Sequence, residues 1–431
     1  MTLAQVFDEA SMIPPELLCD IDTNNRIAKE TDSIFGAIDT YFIADFYQYP
    51  PVAATPLYSP LTGMGGNQAH LVKRKVSRYL WLQIDHVIEF ETQFRQKTDP
   101  ELALAIRNLR TKSCSESDLA LLNSRVIRSE SEPEGIDMGL DRGPEAVVLT
   151  YENIPRILLN DRKVESVCAQ SQLNLIQCYA HDQALANQDQ MLTEDIKDRL
   201  LQTDGIGGSK NEELLSLLSF YVGCPVVVRH KNLATELKVS KGTQGILKKV
   251  YTKPLTSTKR FATAAIVHFP RSTVQLAGLE RGDFVVFPIT FRYKISIGNG
   301  KLLRIARTQL PIHPAWAFTG ESSQGRTLPA VVMDARMTGR ATAASQYVQL
   351  SRATTRKGLF LTYRLTLKDL NNTLWPKDLI FELRRLKALA HNTLVQFELI
   401  KDSLVDVPHA PDSARLTNDP RPTIVFKEGK K

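Results

Sequence analysis

The sequence predicts an α/β protein with a parallel sheet, interrupted by a strand-rich insertion and followed by a helical extension. Three observations lead there. Short β-branched and apolar runs recur along the chain: TYFIA ending at Ala44, AVVLT at Thr150, PVVVRH from Pro225, DFVVF from Asp283, LPAVVMD ending at Asp334 and GLFLTY at Tyr363. Amphipathic helical patterns lie between several of them, such as PELALAIRNLR from Pro100 and NEELLSLLSFY from Asn211. Buried strands that alternate with such helices form parallel sheets. The stretch from 222 to 300 differs, with strands, the turn signals KGTQG and IGNGK, and little helical periodicity. It reads as a small β insertion, barrel-like or SH3-like.

The connecting segments follow from their residues. SESEPEGIDMGLDRGPE, Ser129 to Glu145, is rich in Gly, Pro and acids and reads as a surface loop before the AVVLT strand. After Tyr363 the pattern is helical to residue 402, and it ends in the Pro-rich, basic VPHAPDSARLTNDPRPTIVFKEGKK, expected to be poorly ordered. No internal repeat is present.

Composition narrows the class. With 431 residues there is room for two or three domains with real cores, and the 43% hydrophobic and 23% charged fractions are those of an ordinary globular chain. The net charge of +7 leans toward a polyanionic partner such as nucleic acid without requiring one. The five cysteines are scattered and no C-x-x-C occurs, so neither a disulfide framework nor a zinc site is expected, and a reducing compartment is. No uncharged apolar run approaches the ~18 residues of a membrane span, and no signal peptide is visible. Lys73-Arg74-Lys75 is either a nuclear address or a solvated helix face.

The chemistry-bearing residues fall in five stretches. VFDEASM places Asp8 and Glu9 after an apolar run. In phosphate-handling sheets ligands bind at the carboxyl ends of strands, where an Asp holds Mg²⁺ and a neighbouring Glu activates water. Alone, such a pair is more often a helix start or a turn. YFIADFYQYPPV follows a strand with Asp45, Gln48 and Pro50-Pro51. The prolines fix a loop whose Gln either meets a γ-phosphate or is simply exposed. FETQFRQ puts Arg95 at the head of a helical segment. AWAFTGESSQGRTLPAVVMD sets small and hydroxyl residues around Gln324 and Gly325, between two apolar runs, which suits backbone amides contacting phosphates. YVQLSRATTRKGLFL sets Arg352 ahead of a strand, and a guanidinium suits the charge spread over a transferring phosphoryl group. Each arginine alone would more often be a surface ion-pair partner.

In this order DEASM, ADFYQYPPV, TQFRQ, FTGESSQGRTL and YVQLSRA resemble motifs II to VI of the superfamily 1B DNA helicases, nearest the Pif-type and RecD-like branch that includes the helicase ends of Helitron transposons. VVLTYENIPRILLN and VGCPVVVRHKNLATELKVSKGTQG also look like that branch, and the resemblance spans residues 1 to 365. It implies RecA-like parallel-sheet domains, the first incomplete. The expected division is a remnant of the first domain at 1–84, the second domain at 85–220 and 304–365 around a β-rich insertion at 221–303, and an extension and tail at 366–431.

The resemblance further implies ATP and Mg²⁺ as cofactors and 5′-to-3′ unwinding of DNA. Asp8 would ligate the metal and Glu9 activate water. Gln48 would sense the γ-phosphate, Arg95 and Arg352 would be arginine fingers, and Gln324 and Gly325 would lie at the nucleotide. Thr150, Asn153, Thr319 and Ser323 would touch DNA. Single-stranded or forked duplex DNA is the expected partner of a monomer, with roles in DNA repair, recombination and telomere maintenance, in the nucleus or the mitochondrion.

Departures qualify that expectation. Ala44 stands where the family usually has Gly, and it would be strained if its φ were positive. Glu321-Ser322 replaces a basic or His-Lys pair, which weakens the expected DNA contact. No G-x-x-x-x-G-K-[ST] occurs, and the Gly-rich TGMGGNQ and DGIGGSK lack its ending. The expectation is therefore an N-terminally truncated helicase, inactive alone. The alternative is a non-motor nucleic-acid-binding remnant of a transposon-derived helicase.

Overall fold

The computed structural model describes residues 4–60, 67–138, 146–185, 192–202, 215–296, 302–337, 339 and 341–400. The chain forms two compact units: Met1–Phe46 with Pro50–Gln93 and Trp375–Lys431, and Tyr47–Tyr49 with Phe94–Leu374.

In the first unit β1 (Ala4–Phe7) pairs in parallel with β2 (Asp39–Phe42), joined through α1 (Pro15–Lys29). Pro15 starts α1 without losing a hydrogen bond, since the first helical N–H groups have no partner inside the helix. α2 (Gln68–Leu82), capped by Asn67, packs on α1. Inward side chains of the two strands join a core of Leu18, Phe35, Phe46, Leu80 and Trp81. The outward face exposes Val6 (61%), Tyr41 (56%) and Ile43 (46%), as expected of a sheet with few strands. Ala44 is not among the residues at positive φ, so the expected strain is not there. Lys73 and Arg74 lie on α2 and pair with Asp20 and Glu16 of α1.

The second unit begins with α3 (Pro100–Thr111) and α4 (Glu116–Asn123), then β3 (Val147–Thr150) and α5 (Asn153–Ser171). Next come β4 (Ile176–Tyr179), β5 (His181–Ala184), α6 (Glu194–Gln202), β6 (Leu217–Phe220), β7 (Pro225–Val228), β8 (Gln244–Pro254), β9 (Arg260–His268), β10 (Asp283–Val286), β11 (Ile289–Ser296), β12 (Leu302–Gln309) and β13 (Ile312–Pro314). The chain returns through β14 (Ala317–Thr319), α7 (Gly320–Ser323), β15 (Val331–Met333), α8 (Ala343–Leu350), β16 (Leu359–Leu361) and α9 (Leu367–Asn371). A four-stranded parallel sheet runs β14-β3-β15-β16, with Leu149, Phe318, Val331, Met333, Leu359 and Leu361 in one core with α3 and α8. The α/β fold class is borne out. The last helix, α10 (Lys377–Ile400), returns to the first unit, where Leu379 is buried in its core.

Several details differ from the expectation. The β-rich part is wider than 221–303: its five-stranded sheet β10-β9-β8-β7-β13 and three-stranded sheet β11-β12-β5 draw on residues from His181 to Pro314. The sequence HDQA of β5 is polar and has no alternation to mark it. NEELLSLLSFY is not a helix where it is described, because Leu217–Phe220 pairs antiparallel with β4, burying Leu218 and Phe220. An apolar run with few polar breaks satisfies either period, and the partner strand decides. The first unit reaches Gln93 rather than 84, and the extension belongs to it from Trp375 because α10 fills its core. IGNGK, DGIGGSK, nearly all of TGMGGNQ and the basic tail lie outside the described residues.

Candidate functional site

Asp8 and Glu9 follow β1 at its carboxyl end. Ile43 donates its N–H to the Phe7 carbonyl, and Ala10 donates to the Ile43 carbonyl, so the turn is tied to the end of β2. Glu9 sits at φ 53°, ψ 39°, the left-handed region that costs a non-glycine residue roughly 1 kcal/mol, and its N–H donates to Asp8 Oδ1 at 2.9 Å. That bond orients the Asp8 carboxylate, which is exposed. A hard oxygen donor of this kind fits Mg²⁺. The triphosphate fits less well, because no phosphate-binding Gly-Lys-Ser/Thr loop is among the 431 residues.

In the second unit the carboxyl edge of the parallel sheet gathers four expected residues. Thr150 and Thr319 stand in register at the ends of β3 and β14. Thr150 Oγ1 donates to the Glu152 carbonyl at 2.9 Å and the Phe318 carbonyl at 3.3 Å. Asn153 opens α5, exposed, and accepts from Arg156. Ser323 is buried, its hydroxyl donating to the Gly320 carbonyl at 2.6 Å, and the Thr319 and Ser322 hydroxyls are 3.0 Å apart. Gln324 leaves the helical region at ψ 145° and Gly325 follows at φ 72°, a turn that favours glycine. α7 is a single turn, Gly320–Ser323. Glu321 on it is exposed.

The two arginines converge. Arg95 lies in a turn ahead of α3, and its Nη1 donates to the Ser351 carbonyl at 3.3 Å and its Nε to Thr327 Oγ1 at 3.2 Å. Arg352 is 1% exposed. Its Nε donates to the Val348 carbonyl (2.9 Å), Nη1 to the Arg326 carbonyl (3.2 Å) and Nη2 to Ser351 Oγ (2.9 Å). Arg352 therefore sits just past α8 rather than beside β16, in a conformation that stitches backbone together. It must turn out of these bonds to reach a ligand as a finger. Gln48 belongs to the same unit, carried between Tyr47 and Tyr49.

The sequence reading missed residues that hold these parts. Arg326 donates from Nη2 to the Gly242 carbonyl (2.8 Å) and from Nε to the Ser322 carbonyl (2.9 Å), and its guanidinium lies 4.6 Å from the Phe318 ring centre. It ties the turn after β14 to the KGTQG turn, and only its place after Gln324-Gly325 hinted at that. Arg156, His230 and His313 come together behind Asn153, with His313 Nε2 3.3 Å from His230 Nε2. Burial, then the neighbouring Arg156, pushes the His313 imidazole well below the usual histidine value, so it is neutral. All five cysteines are buried free thiols, and burial pushes Cys114 up to about 11 and Cys178 and Cys224 to about 12, which keeps these three as thiols at neutral pH. His268, Glu280 and Asp283 approach one another, but Lys248 donates to both carboxylates and makes the group an ion-pair network. A cavity of about 390 Å³ beside α4 is lined by Glu116, Asn123, Glu134 and Arg364, none of them a residue of the five stretches.

No protein-family model matches the chain. It is 24% identical over 370 residues to the ATP-dependent DNA helicase PIF6 of Trypanosoma brucei brucei, covering 83% of this chain and 40% of that protein. It is 23% identical over 354 residues to the ATP-dependent DNA helicase PIF1 of Xenopus laevis, covering 82% and 45%. The chain thus spans less than half the length of these curated relatives. Among solved structures it resembles the Pif1 helicase of Candida albicans, with a TM-score of 0.58 and 21% identity over 90% of this chain and 76% of that one. It also resembles the Pif1 helicase from Bacteroides in complex with ADP-AlF3 and ssDNA, with a TM-score of 0.54 and 18% identity over 90% and 76%. These structural likenesses establish the fold.

Proposed function

We propose that this chain, which resembles the Pif1-type helicases of superfamily 1B in sequence and has their fold, carries the acidic-pair, arginine and strand-contacting parts of an ATP-dependent DNA helicase moving 5′ to 3′, without the loop that holds the triphosphate. The observation that carries the reading is the carboxyl edge of the four-stranded sheet, where Thr150 and Thr319 stand in register with Asn153 and Ser323 close behind in the chain. Hydroxyl and amide groups at such an edge suit the sugar-phosphate backbone of a single strand, which every DNA sequence offers alike. Asp8 offers its carboxylate to Mg²⁺, which when bound supplies charge neutralisation at the phosphates. Where a triphosphate is held, the resemblance implies that Glu9 would accept the proton of the attacking water, Gln48 would meet the γ-phosphate, and Arg95, with Arg352 once released from Val348 and Arg326, would stabilise the developing charge.

The test has two arms. Single-stranded DNA should bind at low salt and be lost steeply as salt rises, with ~0.7 of logarithmic slope for each phosphate neutralised. The 431-residue chain alone should hydrolyse ATP negligibly, and Glu9→Gln should change nothing. Strong DNA-stimulated hydrolysis that Glu9→Gln abolishes would refute the inactivity. Absence of DNA binding at low salt would refute the strand-contacting role.

A second reading, a DNA-gripping protein without motor function, is favoured by one observation. Arg352 is sealed inside the second unit and spends its donors on backbone carbonyls and Ser351. Under this reading Arg352 never turns outward, and ATP added with Mg²⁺ leaves the affinity for DNA unchanged.

A further inference from the structure

Tyr49 follows Gln48 in a chain segment that otherwise belongs to the first unit, yet residues 47 to 49 belong to the second. Tyr47, on the other side of Gln48, lies under the Arg110 guanidinium, 4.6 Å from the ring centre, and packs against the main core. Tyr49 is 7% exposed. A Cβ built on Gly320 would stand 2.0 Å from Tyr49 Oη, 3.1 Å from Tyr49 Cζ and 2.9 Å from Gln349 Nε2. Gly320 is not among the residues at positive φ, so its backbone does not demand glycine. The phenol does. Gln349, on α8, is fully buried, and the Tyr49 hydroxyl is the polar group its amide meets, since neither amide atom has another hydrogen-bond partner among the described residues. Burial, and then the Glu321 carboxylate, push the Tyr49 hydroxyl above the ordinary tyrosine value, so it stays a neutral donor.

We infer that Tyr49 is a positioning residue: its phenol fills the place a side chain at 320 would take, and so fixes the Thr319–Ser323 turn to the loop that carries Gln48. This rests on the proposal that Thr319 and Ser323 meet a single DNA strand. Gly320 follows Thr319 directly, so a displaced ring displaces the turn. The loop read as sensing nucleotide and the turn read as touching DNA then move as one body. Glu321, on the same turn, faces the phenol electrostatically and marks the chain's departure from a cationic residue there.

The salt dependence of binding to labelled oligo-dT separates this role from loss of structure. Partial unfolding lowers the active fraction and leaves the slope of log K against log salt unchanged. A turn that has moved loses phosphate contacts, and the slope falls by ~0.7 for each. Gly320→Ala should weaken binding about tenfold and lower the slope, while melting shows the second unit folded. Adding Tyr49→Phe, which removes Oη, should restore the slope and bring affinity back to within about threefold. Should Gly320→Ala not fold, Tyr49→Leu, which opens space instead of closing it, carries the same prediction of a reduced slope. A wild-type slope in Gly320→Ala or Tyr49→Leu, or no recovery in a folded double variant, overturns the inference while leaving DNA binding intact. No binding by the wild-type chain overturns the inference and the proposed function together.

Discussion

Arg352 and Arg95 touch the same residue, Ser351, but their variants should differ sharply in cost. Arg352 is 1% exposed and satisfies the carbonyls of Val348 and Arg326 and the hydroxyl of Ser351. Replacing it with Ala leaves a void and unpaired buried acceptors, a loss of about 2–4 kcal/mol. Lys keeps the charge but has no planar fork to bridge three acceptors, so it should recover little. Arg95 is half-buried, and its bonds to Thr327 and Ser351 are long, 3.2 and 3.3 Å, so Arg95→Ala should cost under about 1 kcal/mol. Urea unfolding checks both: a large fall in midpoint at constant slope for Arg352→Ala, almost none for Arg95→Ala. If Arg352→Ala unfolds like the wild type, its guanidinium is not the structural bolt that its bonds imply. Asp283 gives a pH-dependent counterpart in the β-rich part. Burial alone would raise its carboxyl, but the bonds from His268 and Lys248 outweigh it and hold the group below the usual range. A depressed carboxylate stabilises the fold above the unfolded-state value of about 3.9 and loses that contribution as pH falls through the folded one. Acid unfolding of the β-rich part below about pH 4 should therefore be shallower in Asp283→Asn, as hydrogen exchange along β9 and β10 would register.

α8 shows how an element carries the site. All eight residues Ala343–Leu350 are buried, so the helix has no solvated face to anchor it by pattern. Its start is fixed by a reciprocal cap, with Thr342 Oγ1 accepting from the Ser345 N–H and Ser345 Oγ accepting from the Thr342 N–H. Thr342→Ala should cost about 1 kcal/mol, and Thr342→Ser almost nothing. Equal losses in the two melting curves would show that the hydroxyl does not set the helix start. The sequence made the strand β16 easier to find than α8, because GLFL is a short apolar run while AASQYVQL mixes buried glutamines with apolar residues. Gln346 is buried because Ala335 and Asp369 carbonyls and the Lys112 ammonium complete its bonds, and no local pattern announces partners so distant in the chain. The same limit hid β5, whose place is set by pairing with β12. Thr150 and Thr319 were legible because each closes an apolar run. That they stand side by side was not, since 168 residues separate them and only the sheet register joins them.

The whole chain consists of two units with separate cores, and the last helix decides the extent of the first. α10 brings Glu382, 3% exposed, to α2, where its Oε1 accepts from Trp81 Nε1 at 2.8 Å and Arg78 Nη2 lies 3.6 Å from Oε2. Arg385, one turn on, donates to the same carboxylate at 2.6 and 3.0 Å. A buried carboxylate with three donors is strongly held. Its loss strands a tryptophan N–H inside the core and two guanidinium groups that reach water only in part. Glu382→Ala should thus destabilise the first unit by about 2–3 kcal/mol, and Glu382→Gln by less because it can still accept from Trp81. Because domains have their own cores, the effect should stop at the unit's border. Hydrogen exchange should rise at buried positions such as Leu18, Phe35 and Leu80 and stay unchanged at Val331, Leu350 and Leu359. Single-stranded DNA, bound as proposed at the edge of the four-stranded sheet, should slow exchange in the second set and leave the first set of the Glu382→Ala variant fast. Exchange that rises equally in both sets would mean one cooperative body, and the division into an acidic-pair unit and a strand-contacting unit would then fail.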